Sequence, residues 1–261
     1  MSVCAVVPAA GRGTRLGLTI PKILTPIGED VTVWSVLREN LIPSVDHVVV
    51  VLSPSAVPLF ERALASDAAN DRISFVVQPH AAGMGDAIFV ASPIWQDFES
   101  ILILWGDQVH VSASTIRAAL ADHVRHGGCT IPVVRISTPY VQYDLDGAGR
   151  LCRVRQTREG DWVDPDGFND VGLFVLSTEG LQAAWRDYLL EGPIGPVTNE
   201  VNFLPFLVFL SSRNWPIRLL PVPDAVEALG INTPADLAEA RRRFALGKPL
   251  PQGLATEPVH L

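Results

Sequence analysis

The stretch 3-VCAVVPAAGRGTRLGLTIPK-22 runs from an apolar, β-branched strand straight into a glycine-rich loop, and its reading decides the fold. In an open parallel sheet, ligands bind just beyond the carboxyl ends of the strands, which is where this loop must lie. Gly11 and Gly13 let the backbone take conformations closed to other residues and approach a ligand closely. With Ala9, Ala10 and Thr14 they offer successive N–H groups that can form a concave anion nest. Arg15 and Lys22 add the positive charge that a triphosphate, and later a pyrophosphate leaving group, requires. No GKS or GKT follows, so this is not a Walker A loop. Leu16 stands where a GxGxxG dinucleotide fingerprint has its third glycine. A lone Gly-x-Gly turn merely joins strand to helix; Arg15 and Pro21-Lys22 in the same loop favour phosphate binding.

The same rhythm continues outward. VVVVL (48–52), ISFVV (73–77), ILILW (101–105) and CTIPVVRI (129–136) read as further strands, with helical patterns at about 32–41, 54–66, from Met84, and after Ser114 and Thr115. Nearly continuous apolar strands alternating with helices predict a Rossmann-like α/β fold, its mostly parallel sheet covered on both faces. After residue 137 the texture changes. Residues 139–162 read as an inserted hairpin turning at Asp146, Gly147 and Gly149. FNDVGLFVLS (168–177) reads as one strand, followed by helical runs at 178–192 and 200–211. Thr233-Pro234-Ala235-Asp236 opens a last helix with an N-cap and a first-turn proline. The expected organisation is one domain over 1–245, with a nucleotide-binding half at 1–137, an acceptor-binding half at 138–245 and a loose tail at 246–261.

Of the 261 residues 48% are hydrophobic and only 18% charged, ample for a core and unlike a disordered chain. The net charge of −8 argues against binding the backbone of DNA or RNA. Cys4, Cys129 and Cys152 are scattered, which suggests neither a disulfide framework nor a zinc site. The N-terminus lacks a basic n-region, and no apolar run approaches the ~20 residues that span a bilayer. A cytoplasmic location, no membrane partner and no obstacle to a homo-oligomer are the expectations. His80, His110, His123 and His126 share no ligand spacing, and Ser35, Ser114 and Ser137 lack a nucleophile-elbow context.

The opening GxGTRL followed by PK resembles the signature of the sugar-1-phosphate nucleotidyltransferases. It is similar to the uridylyltransferase domain of the bifunctional N-acetylglucosamine-1-phosphate enzymes and to the glucose-1-phosphate thymidylyl- and uridylyltransferases. The resemblance extends to about residue 237. It implies a Mg²⁺-dependent enzyme with Arg15, Lys22 and Asp107 as catalytic residues. In 78-QPHAAGMGDAI-88, Gln78, Gly83 and Gly85 take the place of the residues that hold the base. Asp107, at the end of 101-ILILWGDQ-108, and Asn232, in 230-GIN-232, take the place of the metal ligands. One carboxylate and one amide oxygen leave room for water and phosphate oxygens, as Mg²⁺ demands. On the acceptor side the family positions fall on Gln142, Gln156, Asn169 or Asp170, and Glu200, with Arg158 as a basic group reaching phosphate. Gln156 and Asp170 depart from the family's glutamate and asparagine. They point away from N-acetylglucosamine 1-phosphate and toward a modified sugar or a cyclitol phosphate.

The implied reaction is in-line attack of an acceptor phosphate on the α-phosphorus of an NTP, releasing pyrophosphate. The base stays open among UTP, GTP and dTTP, because the amide of Gln78 can donate or accept. Rival readings are a cytidylyltransferase of isoprenoid or polyol phosphates, a molybdopterin-guanylating enzyme, and a nucleotide-sensing subunit without activity.

Overall fold

A computed structural model describes residues 1–11, 16–17, 20–65, 67, 69–165 and 167–246. Gly13, Thr14, Arg15 and the tail beyond residue 246 lie outside the described residues. The chain begins with β1 (Val3–Pro8), then a small antiparallel pair, β2 (Pro26–Gly28) and β3 (Val31–Thr32), and α1 (Val33–Leu41). Thr32 caps α1 in a reciprocal capping box with Ser35. Next come β4 (His47–Leu52), α2 (Val57–Leu64), β5 (Ile73–Val77), α3 (Met84–Val90), α4 (Ser92–Trp95) and β6 (Ser100–Leu104). β1 pairs in parallel with β4 on one side and β6 on the other, and β4 pairs with β5. The strand order therefore reverses at β1 and β6, and a crevice opens beyond their carboxyl ends.

β1 and β6 are buried along their whole length. Val3, Ala5 and Val7 enter one core, with α1 and α2; Cys4 and Val6 enter the other, with Ile88, Trp185 and Phe206. Side chains alternate sides with a period of two, but both sides are covered, so the sequence shows an unbroken apolar run. Each buried valine contributes about 1.5–3 kcal/mol relative to exposure.

The second half widens the sheet. α5 (Ala113–His126) is capped by Ser112, whose hydroxyl accepts from the Thr115 N–H, so the helix starts just before the predicted Ser114–Thr115 entry. It leads to β7 (Cys129–Arg135) and then the predicted hairpin, β8 (Val141–Leu145) with β9 (Leu151–Gln156), which forms a separate two-stranded sheet. The predicted strand 168–177 is in fact two, β10 (Phe168–Asp170) and β11 (Leu173–Ser177), because Gly172 turns left-handed with φ 74°. Both run antiparallel to β7, and β11 also runs antiparallel to β6. The sheet is therefore mixed but mostly parallel. After α6 (Leu181–Leu190) and α7 (Leu204–Ser212), β12 (Ile217–Pro221) pairs in parallel with β7, a strand that the sequence reading does not anticipate. α8 (Pro234–Ala245) closes the described chain, and its Phe244 ring packs on Gly28. No helix among the described residues is long and apolar enough to cross a membrane.

Candidate active site

Three strand ends supply one side of the crevice. Ala9, Ala10 and Gly11 follow β1, Gln78 follows β5, and Gly106-Asp107 follow β6; all line a cleft of about 270 Å³. Asp107 is fixed through its own carbonyl, which accepts from the Ile231 N–H at 3.0 Å. The neighbouring Asn232 is held by the start of α8, where its N–H donates to Asp236 Oδ2 at 2.9 Å beside the Thr233 capping box. The Lys22 ammonium bridges the two, donating to Asp107 Oδ2 at 2.7 Å and to Asn232 Oδ1 at 3.1 Å. Three residues drawn from positions 22, 107 and 232 thus meet at one point in the cleft.

Gln78 is buried, and its Nε2 donates to the Gly83 carbonyl at 3.1 Å and to Asp86 Oδ2 at 2.7 Å. Both partners can only accept, so the amide cannot rotate without losing both bonds, and Oε1 is left to accept from a ligand. Gly83 has φ 116°, and a Cβ there would lie 2.6 Å from the Val201 carbonyl; a Cβ on Gly85 would collide with Trp185. That crowding has a purpose visible in the backbone. The Gly85 N–H donates to the Val201 carbonyl at 3.0 Å and the Val201 N–H to the Ala82 carbonyl at 2.9 Å, stitching this loop to residues 200–202.

A second cavity of about 360 Å³ continues from the first, sharing Met84, Trp105, Asp107, Arg158 and Asn232. Gln156 and Asp170 line it, and Glu200 lines the first cavity at the junction. Asp170 is fully buried and accepts from the Tyr143 hydroxyl at 2.9 Å and the Gly172 N–H at 2.8 Å. Burial pushes its carboxyl up to about 6, and the charge of Asp107 adds to that, against the pull of the two donors. Arg158 pairs with Glu200 and donates to Asn202 Oδ1 at 2.9 Å.

Two expected acceptor residues are not brought to the cleft. Asn169 is buried beside Asp170, where its Oδ1 accepts from the N–H groups of Tyr140 and Val141 at 3.0 and 3.1 Å. It holds the start of β8 rather than a ligand. Gln142 lies on the hairpin face covered by Asp164 and Gly167. Its Nε2 donates to Asp144 and Asp164, both at 2.8 Å, and its Oε1 accepts from the Asp164 N–H. Residues that sequence reasoning missed are Asp86, which fixes Gln78, and Glu159 and Asn202, which surround Arg158. Their only signal was proximity to chosen residues, at 78–88 and 156–202.

A strand-reversal crevice whose rim carries a lysine, a carboxylate and an amide oxygen, opening into a second cavity, is the arrangement of a nucleotidyltransferase. Residues 5–160 match the MobA-like NTP transferase domain, and the chain belongs to that family. It is similar to the "Bifunctional protein GlmU" of Aquifex aeolicus (strain VF5), 27% identical over 245 residues, which is 90% of this chain and 51% of that protein. The protein of the same name from Burkholderia ambifaria (strain ATCC BAA-244 / DSM 16087 / CCUG 44356 / LMG 19182 / AMMD) is 28% identical over 248 residues, 91% of this chain and 51% of that protein. The chain spans about half the length of the curated relatives it matches.

Proposed function

We propose that this chain couples an NTP to a sugar 1-phosphate or cyclitol phosphate, releasing pyrophosphate, with Mg²⁺ as its cofactor. The observation that carries this reading is the meeting of Lys22, Asp107 and Asn232 at the β1–β6 crevice, at the junction of two cavities. The first suits a nucleotide. The loop from Ala9 to Gly11 would approach the phosphates, Gly83 would pack along the base, and Gln78 would accept a hydrogen bond from it, while Gly85, which faces Trp185 and does not line the cleft, lets the loop close on Val201. The second suits the acceptor, with Arg158 toward its phosphate, Gln156 and Asp170 toward its hydroxyls, and Glu200 at the junction with the first.

Two hard oxygens, from Asp107 and Asn232, already converge on one cation, the Lys22 ammonium, and that donor set fits magnesium. Among the described residues no cluster of three or more His, Cys, Asp or Glu could hold a metal, so nucleotide and water oxygens would complete the shell. Bound there, the ion would neutralise charge on the transferring phosphate. Lys22 would serve the leaving pyrophosphate, a role that the sequence also gives to Arg15. The acceptor phosphate is ionised at neutral pH and needs no general base, so positioning and charge neutralisation supply the rate.

The test is pyrophosphate release from UTP, dTTP, GTP, CTP or ATP with Mg²⁺ and a panel of sugar and cyclitol phosphates. Release with one pair, abolished in Asp107→Ala, is the expected result. Failure to bind any Mg·NTP would remove the reading.

A further inference from the structure

Glu159 is a carboxylate with no place in the reaction as read above, yet it is better satisfied than any group in the cleft. It sits on the short turn Thr157–Glu159 that ends β9, with its side chain 6% exposed. Its Oε2 accepts from the backbone N–H groups of Val197 and Thr198 at 3.0 and 3.2 Å. Its Oε1 accepts from the Thr198 hydroxyl and from Asn202 Nδ2 at 2.8 Å. Burial pushes the carboxyl up, but these donors outweigh it and hold it down at about 2. A buried charge costs heavily unless paired and hydrogen-bonded; Glu159 Oε1 stands 3.6 Å from Arg158 Nε, and what the four donors add to that ion pair calls for an explanation.

Asn202 supplies one. It is 4% exposed and stands between Glu159 and Arg158. Glu159 can only accept, so the amide nitrogen must face it. The amide oxygen then faces Arg158, whose guanidinium can only donate, and Nη2 reaches that oxygen at 2.9 Å. Rotating the amide would break both bonds and set like groups against each other. Nη2 is thus committed to Asn202 and Glu200, while Nη1 has no acceptor among the described residues. Arg158 lines both cavities, at their junction.

We propose that Glu159 is a positioning residue that acts on Arg158 both directly, at Nε, and through Asn202, to aim the guanidinium at the acceptor's phosphate. The inference rests on the reading of the second cavity as a phosphate-acceptor site. It goes beyond that reading by assigning work to Glu159, which lines neither cavity, and to Asn202, which lines the second.

The probe is inorganic phosphate, titrated into the full chain by calorimetry. Arg158→Ala weakens phosphate binding. Glu159→Gln and Asn202→Ala weaken it too, by about tenfold each, the loss expected when a hydrogen bond to a charged group is removed. In an Arg158→Ala background neither costs anything further, because there is nothing left to aim. Thr198→Val, which loosens Glu159's hold on residues 197–198 without touching the relay, binds phosphate as the parent does. Asn202→Ala guards against misfolding, since it leaves Glu159 three of its four donors. If Arg158→Ala leaves phosphate binding unchanged, the anion site itself is lost and the relay with it. If Arg158→Ala weakens binding but the relay variants do not, or if they add to it fully, the relay alone is overturned. Loss in Thr198→Val equal to that in Glu159→Gln would mean that Glu159 only pins a loop.

Discussion

On the proposed nucleotide side of the cleft, the backbone at Ala9 and the side chains of Gln78 and Asp107 come directly after the parallel strands β1, β5 and β6. On the proposed acceptor side, Gln156, Arg158 and Asp170, with Glu200 at the junction of the two cavities, come from a hairpin and the turn after it, an antiparallel strand and a loop. The nucleotide side is thus a consequence of the sheet, whereas the acceptor side is a consequence of side chains holding one another. Disturbing the first should cost chemistry while sparing stability. Disturbing the second should trade acceptor binding against stability.

The largest expected effect is at Asp107. Asp107→Ala should cut pyrophosphate release by roughly 10²–10³-fold, the usual cost of removing one electrostatic group at a transferring centre, with the melting temperature little changed. An equal loss of stability would mean that the strand end is not separable from the fold. Lys22 comes next, and it sharpens the point with a binding readout. Its ammonium shares the oxygens of Asp107 and Asn232. Lys22→Ala should therefore slow turnover while tightening Mn²⁺ binding to the nucleotide-free protein, by about tenfold, or ~1.4 kcal/mol. Electron paramagnetic resonance of free Mn²⁺ measures this; unchanged affinity would show that lysine and metal do not compete.

Asp86 tests the boundary between the two kinds of construction, because there a side chain fixes a strand-end residue. With the amide locked, Gln78 offers an acceptor to the base. Uracil, thymine and guanine carry a ring N–H for that acceptor, whereas cytosine and adenine carry a bare ring nitrogen at the same place. Asp86→Ala should free the amide to rotate and compress the ranking of NTP affinities by several-fold, about 1 kcal/mol per hydrogen bond. A ranking that survives the substitution would give base choice to the backbone instead.

What was legible in the sequence follows the same division. The placement of Ala9–Gly11, Gln78 and Asp107 at the cleft could be read because strand, turn and side chain are contiguous in the chain. Gln142 and Asn169 could not, because counting along a motif gives a position and not a direction. Asn169 is turned by the two N–H groups of Tyr140 and Val141, and Gln142 by Asp144 and Asp164. β12 was missed because its partner, β7, lies some eighty residues earlier and its own side chains are only partly buried. The break at Gly172 was missed because FNDVGLFVLS is apolar enough to read as one strand. The positive φ of Gly172, where a side chain would collide with Trp105 and Gln108, divides it.

Asp170 gives the smallest effect and the most direct test of the trade on the acceptor side. Its folded pKa of about 6 lies above the ~3.9 of an unfolded aspartate, so the folded chain holds this proton more tightly than the unfolded one. The contribution to stability is accordingly complete below about pH 4 and is lost as pH rises through about 6. At pH 7.5 the ionised, buried carboxylate costs roughly 2–3 kcal/mol. Asp170→Asn abolishes the ionisation and keeps an oxygen for the Gly172 N–H, while the Tyr143 hydroxyl can accept from the new amide. Urea melts should find the variant more stable than the parent at pH 7.5 and no more stable at pH 4. A gap of equal size at both pH values would show that ionisation is not its source. If the gain appears and the acceptor's KM rises with it, the carboxylate is kept at the expense of stability because the acceptor site uses it. If the gain appears with KM unchanged, Asp170 has no part in binding, and the acceptor would have to be recognised through Gln156 and Arg158 in the second cavity and Glu200 at its junction with the first.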